Sequence, residues 1–206
     1  SGGGKVLSLA GSKNSKRVAF APDGKTLATA TGETVKLWDA ASGRELKTII
    51  GNRSMVFCVA FSPDGQWLAA GSMGQVRVWN LASGEATYSL EHRNWVNDIA
   101  FSPDSKILAA DQGDSVIALW DMSSGKQRAA LAGHAGDVSG LCFSPDGRIL
   151  ASSSRDLTIR LWEVATGSEL KALVGHSGWV QGVSFSPDGA ILASGAQDQT
   201  RLWGLE

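Results

Sequence analysis

Apolar and polar residues alternate with a period of two in many short runs along the chain. Val35-Lys36-Leu37 and Val76-Arg77-Val78 show it, as do Ile159 and Leu161 against Thr158 and Arg160. Such runs predict half-buried strands, not helices. In one stretch four runs follow each other closely, Val138–Phe143, Arg148–Ser153, Thr158–Trp162 and Glu169–Val174. The short links between them, rich in Ser-Gly and Thr-Gly, favour antiparallel neighbours.

The punctuation repeats as well. All five prolines precede an aspartate, at Pro22-Asp23, Pro63-Asp64, Pro103-Asp104, Pro145-Asp146 and Pro187-Asp188, and Gly or Ser follows each pair. Proline presets φ for the second residue of a tight turn, and Asp-Gly tolerates the remainder. Five hairpins are predicted. Tryptophans close the units at Trp38, Trp79, Trp120, Trp162 and Trp203, with spacings of 41, 41, 42 and 41 residues. A four-stranded sheet cannot bury both faces alone, and radial stacking of such sheets solves this. The expected fold is therefore all-β, a β-propeller of five four-stranded antiparallel blades.

Gly133-His134, Ser144-Pro145-Asp146-Gly147, Leu150-Ala151-Ser152, Asp156 six residues before Trp162, and their counterparts from Gly175-His176 to Trp203 resemble the WD-repeat family. The resemblance covers nearly the whole chain. It implies a buried hydrogen-bonded tetrad in each well-formed repeat, here His134, Ser152, Asp156 and Trp162, then His176, Ser194, Asp198 and Trp203. Asp198 lies five residues before its tryptophan, which puts the second tetrad in doubt. The pattern decays toward the N-terminus.

Residues 1–4, Ser-Gly-Gly-Gly, read as a linker or expression remnant, and residues 5–206 as a single propeller. The blades are expected at about 12–51, 52–91, 92–132, 133–174 and 175–206. Residues 5–11 align with Glu169–Gly175 as an outer strand, and the last blade lacks one. The expectation is that this segment closes the ring by completing the fifth blade. A fragment of a larger propeller, assembling with a second copy, is the alternative, because the family usually has seven blades.

Net charge is −1, so no basic footprint for nucleic acid is present. No apolar run is long enough to span a bilayer. Cys58 and Cys142 sit in equivalent strands two repeats apart, where free thiols suit a reducing, cytoplasmic setting. No metal-ligand spacing or phosphate loop is evident, and neither metal nor cofactor is expected. Asp111-Gln112-Gly113-Asp114 reads as a solvated turn, and Trp67 as packing at a blade edge. Asp98 is the main acid on an inner strand, without a carboxylate partner for glycoside hydrolysis. His134, Asp156 and Ser152 mimic a hydrolase triad, but their duplication in the next repeat suits scaffolding better.

The resemblance implies that partners bind the rim before the innermost strands. Two columns of residues vary there: Asn14, Met55, Trp95, Asp137 and Trp179, then Lys16, Phe57, Asn97, Ser139 and Gln181. The turn residues Met73, Arg155 and Gln197 share that rim. Aromatic and Met side chains with an Arg nearby resemble a protein-interface anchor set. The expectation is a non-catalytic protein- or peptide-binding scaffold, monomeric by preference and homo-oligomeric as the alternative. Two further readings stay open: a truncated or engineered scaffold with no task of its own, and a carbohydrate-binding module stacking sugars on Trp.

Overall fold

The computed structural model describes residues 6–11, 15–50, 52 and 54–205, all in strands and their connections. The first sheet holds β1 (Val18–Phe20), β2 (Thr26–Thr31), β3 (Thr34–Asp39) and β4 (Glu45–Ile49), paired in chain order. The second holds β5 (Val56–Phe61), β6 (Trp67–Asn80) and β7 (Ala86–Trp95). β6 turns back at Gly74, whose φ is 80°. Its first half pairs with β5 and its second with β7. The Leu81 amide donates to the Gln66 carbonyl (2.8 Å), so the halves lie side by side and do the work of two strands.

The third sheet contains β8 (Ile99–Phe101), β9 (Ile107–Asp111), β10 (Val116–Asp121) and β11 (Gln127–Ala132). The fourth contains β12 (Val138–Phe143), β13 (Ile149–Ser154), β14 (Thr158–Glu163) and β15 (Glu169–Val174). The fifth contains β16 (Val180–Phe185), β17 (Ile191–Ala196) and β18 (Thr200–Gly204). Every pairing is antiparallel, and the fourth sheet matches its four predicted runs to within a residue at each end. Among the described residues no helix is long and apolar enough to cross a membrane.

The Pro-Asp turns form as the chemistry requires. The Gly147 amide donates to the Ser144 carbonyl (2.9 Å), while the Asp146 carboxylate accepts from the Arg148 amide (3.0 Å) and the Ser144 hydroxyl (2.6 Å). In the third repeat Ser105 takes the glycine position at φ 61°. These turns also join neighbouring sheets, since the Ser105 hydroxyl accepts from the Asp64 amide (3.0 Å).

Between sheets the core is layered: Leu161, Ile159 and Ala151 of the fourth sheet meet Val180, Leu192, Val183 and Phe185 of the fifth. The inner strands approach closely, and a Cβ on Gly140 would lie 2.8 Å from the Ser153 hydroxyl and 3.0 Å from the Gly182 Cα. Trp67 packs on the core beside Tyr88, ring centroids 6.0 Å apart, as expected of a blade-edge residue.

Ring closure by the leading segment is not seen. Among the described residues β18 has β17 as its only strand neighbour, and residues 6–11 do not form a strand. Residues 1–5 lie outside the described residues. Leu7 and Leu9 instead pack around Gly43, at the turn between β3 and β4. Ala129 and Leu131 of β11 pack around Gly167 in the same way. The segment thus takes the place of an outer strand preceding the first sheet. Among the described residues no extensive contact joins the fifth sheet to the first. Closure depends on the angle accumulated over all the sheet junctions, which local pattern does not set.

Candidate functional site

The two tetrads form. In the fourth sheet the Trp162 indole N–H donates to the Ser152 hydroxyl (2.8 Å), which lies 2.8 Å from His134 Nε2. His134 Nδ1 is 2.8 Å from the Asp156 carboxylate. An indole only donates and a carboxylate only accepts, so the chain of bonds has one direction. Ser152 passes its proton toward Nε2, and His134 is the Nδ1–H tautomer donating to Asp156. Burial favours this neutral form and lowers the His134 pKa, against the pull of Asp156. Burial alone would raise Asp156, but hydrogen bonds from Thr158, the Ala135 amide and His134 outweigh it and hold the carboxyl at about 2.

The fifth sheet repeats the set. The Trp203 indole donates to Ser194 (2.9 Å), Ser194 meets His176 Nε2 (2.7 Å), and His176 Nδ1 meets Asp198 (2.7 Å). The missing residue before Trp203 therefore does not break the tetrad. In the fourth sheet the additional residue, Leu157, sits at φ 72° outside the network. The distances also match a hydrolase triad, but the setting does not. Ser152 has no exposed surface, and its oxygen already accepts the indole proton. A nucleophile must reach its substrate.

The expected rim residues are brought together in part. Phe57, Trp95, Asn97, Asp137 and Arg155 line one depression of about 420 Å³, with Asn94 and Gly113 completing its wall. Phe57 and Trp95 meet edge to face, centroids 4.8 Å apart. The Arg155 guanidinium bridges to Asp137 (3.1 Å) and stacks over Trp179 at 5.0 Å from the ring centroid. Trp95 and Trp179 are about half exposed, and so are Met55 and Met73; Met73 pairs across the ladder with Trp95.

Three expected rim residues go elsewhere. The Ser139 hydroxyl turns inward, donating to the Val180 carbonyl and tying the fourth sheet to the fifth. Gln181 lines a separate groove on the inner strand of the fifth sheet, with Val183 and Ser184. Gln197 contributes its backbone amide to the Trp179 carbonyl (3.1 Å). Lys16 is exposed, and Asn14 lies outside the described residues.

The reading of Asp111 as part of a solvated turn is corrected. It ends β9 with no exposed surface, and its carboxylate accepts from the Gly113 amide (2.7 Å) and from the backbone (3.1 Å) and side-chain amide (2.8 Å) of Asn97. Burial raises its pKa to about 6, against these bonds. Asn97 Nδ2 also donates to the Val138 carbonyl (3.1 Å), so the buried carboxylate fixes the side chain that floors the depression. Asp98 accepts the Leu141 amide (2.9 Å) across the next junction, and burial raises its pKa. Among the described residues, no cluster of three or more His, Cys, Asp or Glu is placed to hold a metal ion. Asn94, Gly113 and Asp111 were not among the expected rim residues: the Asn94 side-chain amide donates to the Gly113 carbonyl (3.4 Å), a contact that sequence spacing does not reveal, and Asp111 acts from below the surface.

No curated protein matches the chain closely enough to count as a relative. A family model, the WD domain or G-beta repeat, matches residues 3–39, 43–80, 84–121, 125–163 and 167–203. The last three matches each span an outer strand and the three strands of the following sheet, the second spans β4, β5 and both halves of β6, and the first has the 6–11 segment in the outer strand's place. With five consecutive matches and five such sheets, the chain belongs to the WD-repeat family, whose propellers are in general non-catalytic scaffolds for protein interaction.

Proposed function

We propose that the chain is a non-catalytic binding module whose rim depression takes a side chain of a peptide or protein partner. One observation carries the reading: Phe57 and Trp95 stand beside the Asp137–Arg155 pair around a single opening, with Trp179 behind the guanidinium. Aromatic and Arg side chains in a depression are what interface anchors require. Asp111 and Asn97 make its floor rigid, so little ordering opposes binding. A cytoplasmic setting is part of the proposal, supported by the free thiols of Cys58 and Cys142.

The test is selection of binding peptides from a displayed random library on the immobilised chain. Trp95→Ala and Arg155→Ala should each weaken the selected peptides at least about tenfold, the scale of a 1.4 kcal/mol anchor. Both should leave the melting temperature unchanged. Gln181→Ala, outside the depression, should leave affinity unaltered. Equal binding by the parent chain and Trp95→Ala would refute the site.

A further inference from the structure

The two ends of the fan are the two halves of an interface that the molecule already uses internally. Phe20 pairs with Leu27 in the first sheet as Phe143 pairs with Leu150 in the fourth. Phe143 is covered by the preceding sheet and is 8% exposed, whereas Phe20 is 63% exposed and Val18 61%. At the other end Leu202 pairs with Ala193 as Leu161 pairs with Ala151. Leu161, covered by the fifth sheet, is 5% exposed, whereas Leu202 is 72% exposed with Ile191 beside it at 42%. Two apolar faces of this kind need an explanation on a folded chain.

The edges match as well as the faces. Among the described residues β18 presents an open ladder edge, because the fifth sheet has three strands where the fourth has four. Residues 6–11 lie against the first sheet where an outer strand of a preceding sheet would lie, shown by the shared packing around Gly43 and Gly167. A body that placed its first sheet on the exposed face of the fifth would bring its own 6–11 segment alongside β18.

We propose that the chain associates head to tail with a second copy of itself: the Val18–Phe20 face of one copy covers the Leu202–Ile191 face of the next, and residues 6–11 of the incoming copy become the fourth strand beside β18. The internal sheet junctions supply the argument for the occupant, since a second copy carries the same two surfaces in the same relative placement. The contact is heterologous, so it either closes into a ring or continues into longer assemblies. Strand addition supplies the ladder bonds and the apolar faces supply the burial.

The proposal is independent of the rim depression, and its test uses the whole chain. Light scattering at rising concentration should give a mass of at least two chains. Leu202→Glu and Phe20→Glu each disable one of the two faces on an exposed side chain, so each alone should leave only monomer with an unchanged far-ultraviolet spectrum. Mixed together they retain one intact face apiece and should form a one-to-one dimer. A parent chain that stays monomeric would overturn the proposal. Two other results would overturn it too: assemblies that persist in both variants, and variants that do not pair when mixed.

Discussion

The third and fourth repeats carry the same two rings in the same place and differ by one oxygen at the position between them. In the fourth, Ser152 stands between Trp162 and His134 and bonds both. In the third the same position is Ala110. The His92 and Trp120 rings lie 5.8 Å apart, and both His92 nitrogens and the indole N–H are buried without a partner. Asp114, the counterpart of Asp156, has not closed on His92. Both sheets nevertheless form four strands with the same register logic. The contrast teaches that apolar alternation and turn chemistry suffice to build the blade, while the polar network adds stability to a sheet that is already specified.

The comparison breaks most sharply by removing the oxygen. Ser152→Ala leaves the Trp162 indole N–H and the Nε2 of His134 buried without a partner, while Nδ1 keeps Asp156; at about 1–3 kcal/mol for each lost bond it should destabilise the chain by about 4 kcal/mol in urea unfolding. The next effect is acid sensitivity from the unpartnered His92 of the third repeat. Burial depresses His92 from 6.5 to about 4, so the folded state binds fewer protons than the unfolded state between those values. Its contribution is present above pH 6.5 and is lost as the pH falls toward 4, by about 3 kcal/mol. His92→Asn, which copies Asn52 of the second repeat, should lose less stability than the parent between pH 7 and 4; parallel curves would show that His92 is not the group responsible.

A smaller effect runs in the opposite direction. Ala110→Ser restores the bridging hydroxyl and should stabilise the chain by about 1–2 kcal/mol, read by the same unfolding measurement. The smallest concerns spacing. The fifth repeat reaches the same His–Asp bond with one residue fewer, so deleting Leu157 should keep the His134–Asp156 bond and shift stability by less than about 0.5 kcal/mol. A large loss would mean that the fourth repeat depends on its longer turn.

Much of this was legible in the sequence. Strands, hairpins and tetrads are local, and each repeat states them again through Pro-Asp, Leu-Ala-Ser and Trp. The rim columns were legible as positions because each lies at a fixed offset from an inner-strand phenylalanine. Which of them meet was not, because side-chain direction decides it: Ser139 turns to a neighbouring carbonyl, while Asp137 turns out to Arg155. The burial of Asp111 was hidden because the residues after it, Gln112-Gly113-Asp114, read as a turn and its cover comes from elsewhere in the fold. Ring closure was the furthest from view. The leading segment packs against the first sheet, not beside β18 as expected, and whether the fifth sheet reaches it is a property of the whole fan.

The central claim is that the shared hydroxyl separates a locked repeat from a slack one. Hydrogen exchange of the tryptophan indole N–H groups, followed by NMR, tests it directly. Trp38, bonded to Thr29 (2.9 Å), Trp162 and Trp203 should exchange slowly, and Trp120 at least tenfold faster. Exchange of Trp162 as fast as that of Trp120 would contradict the account.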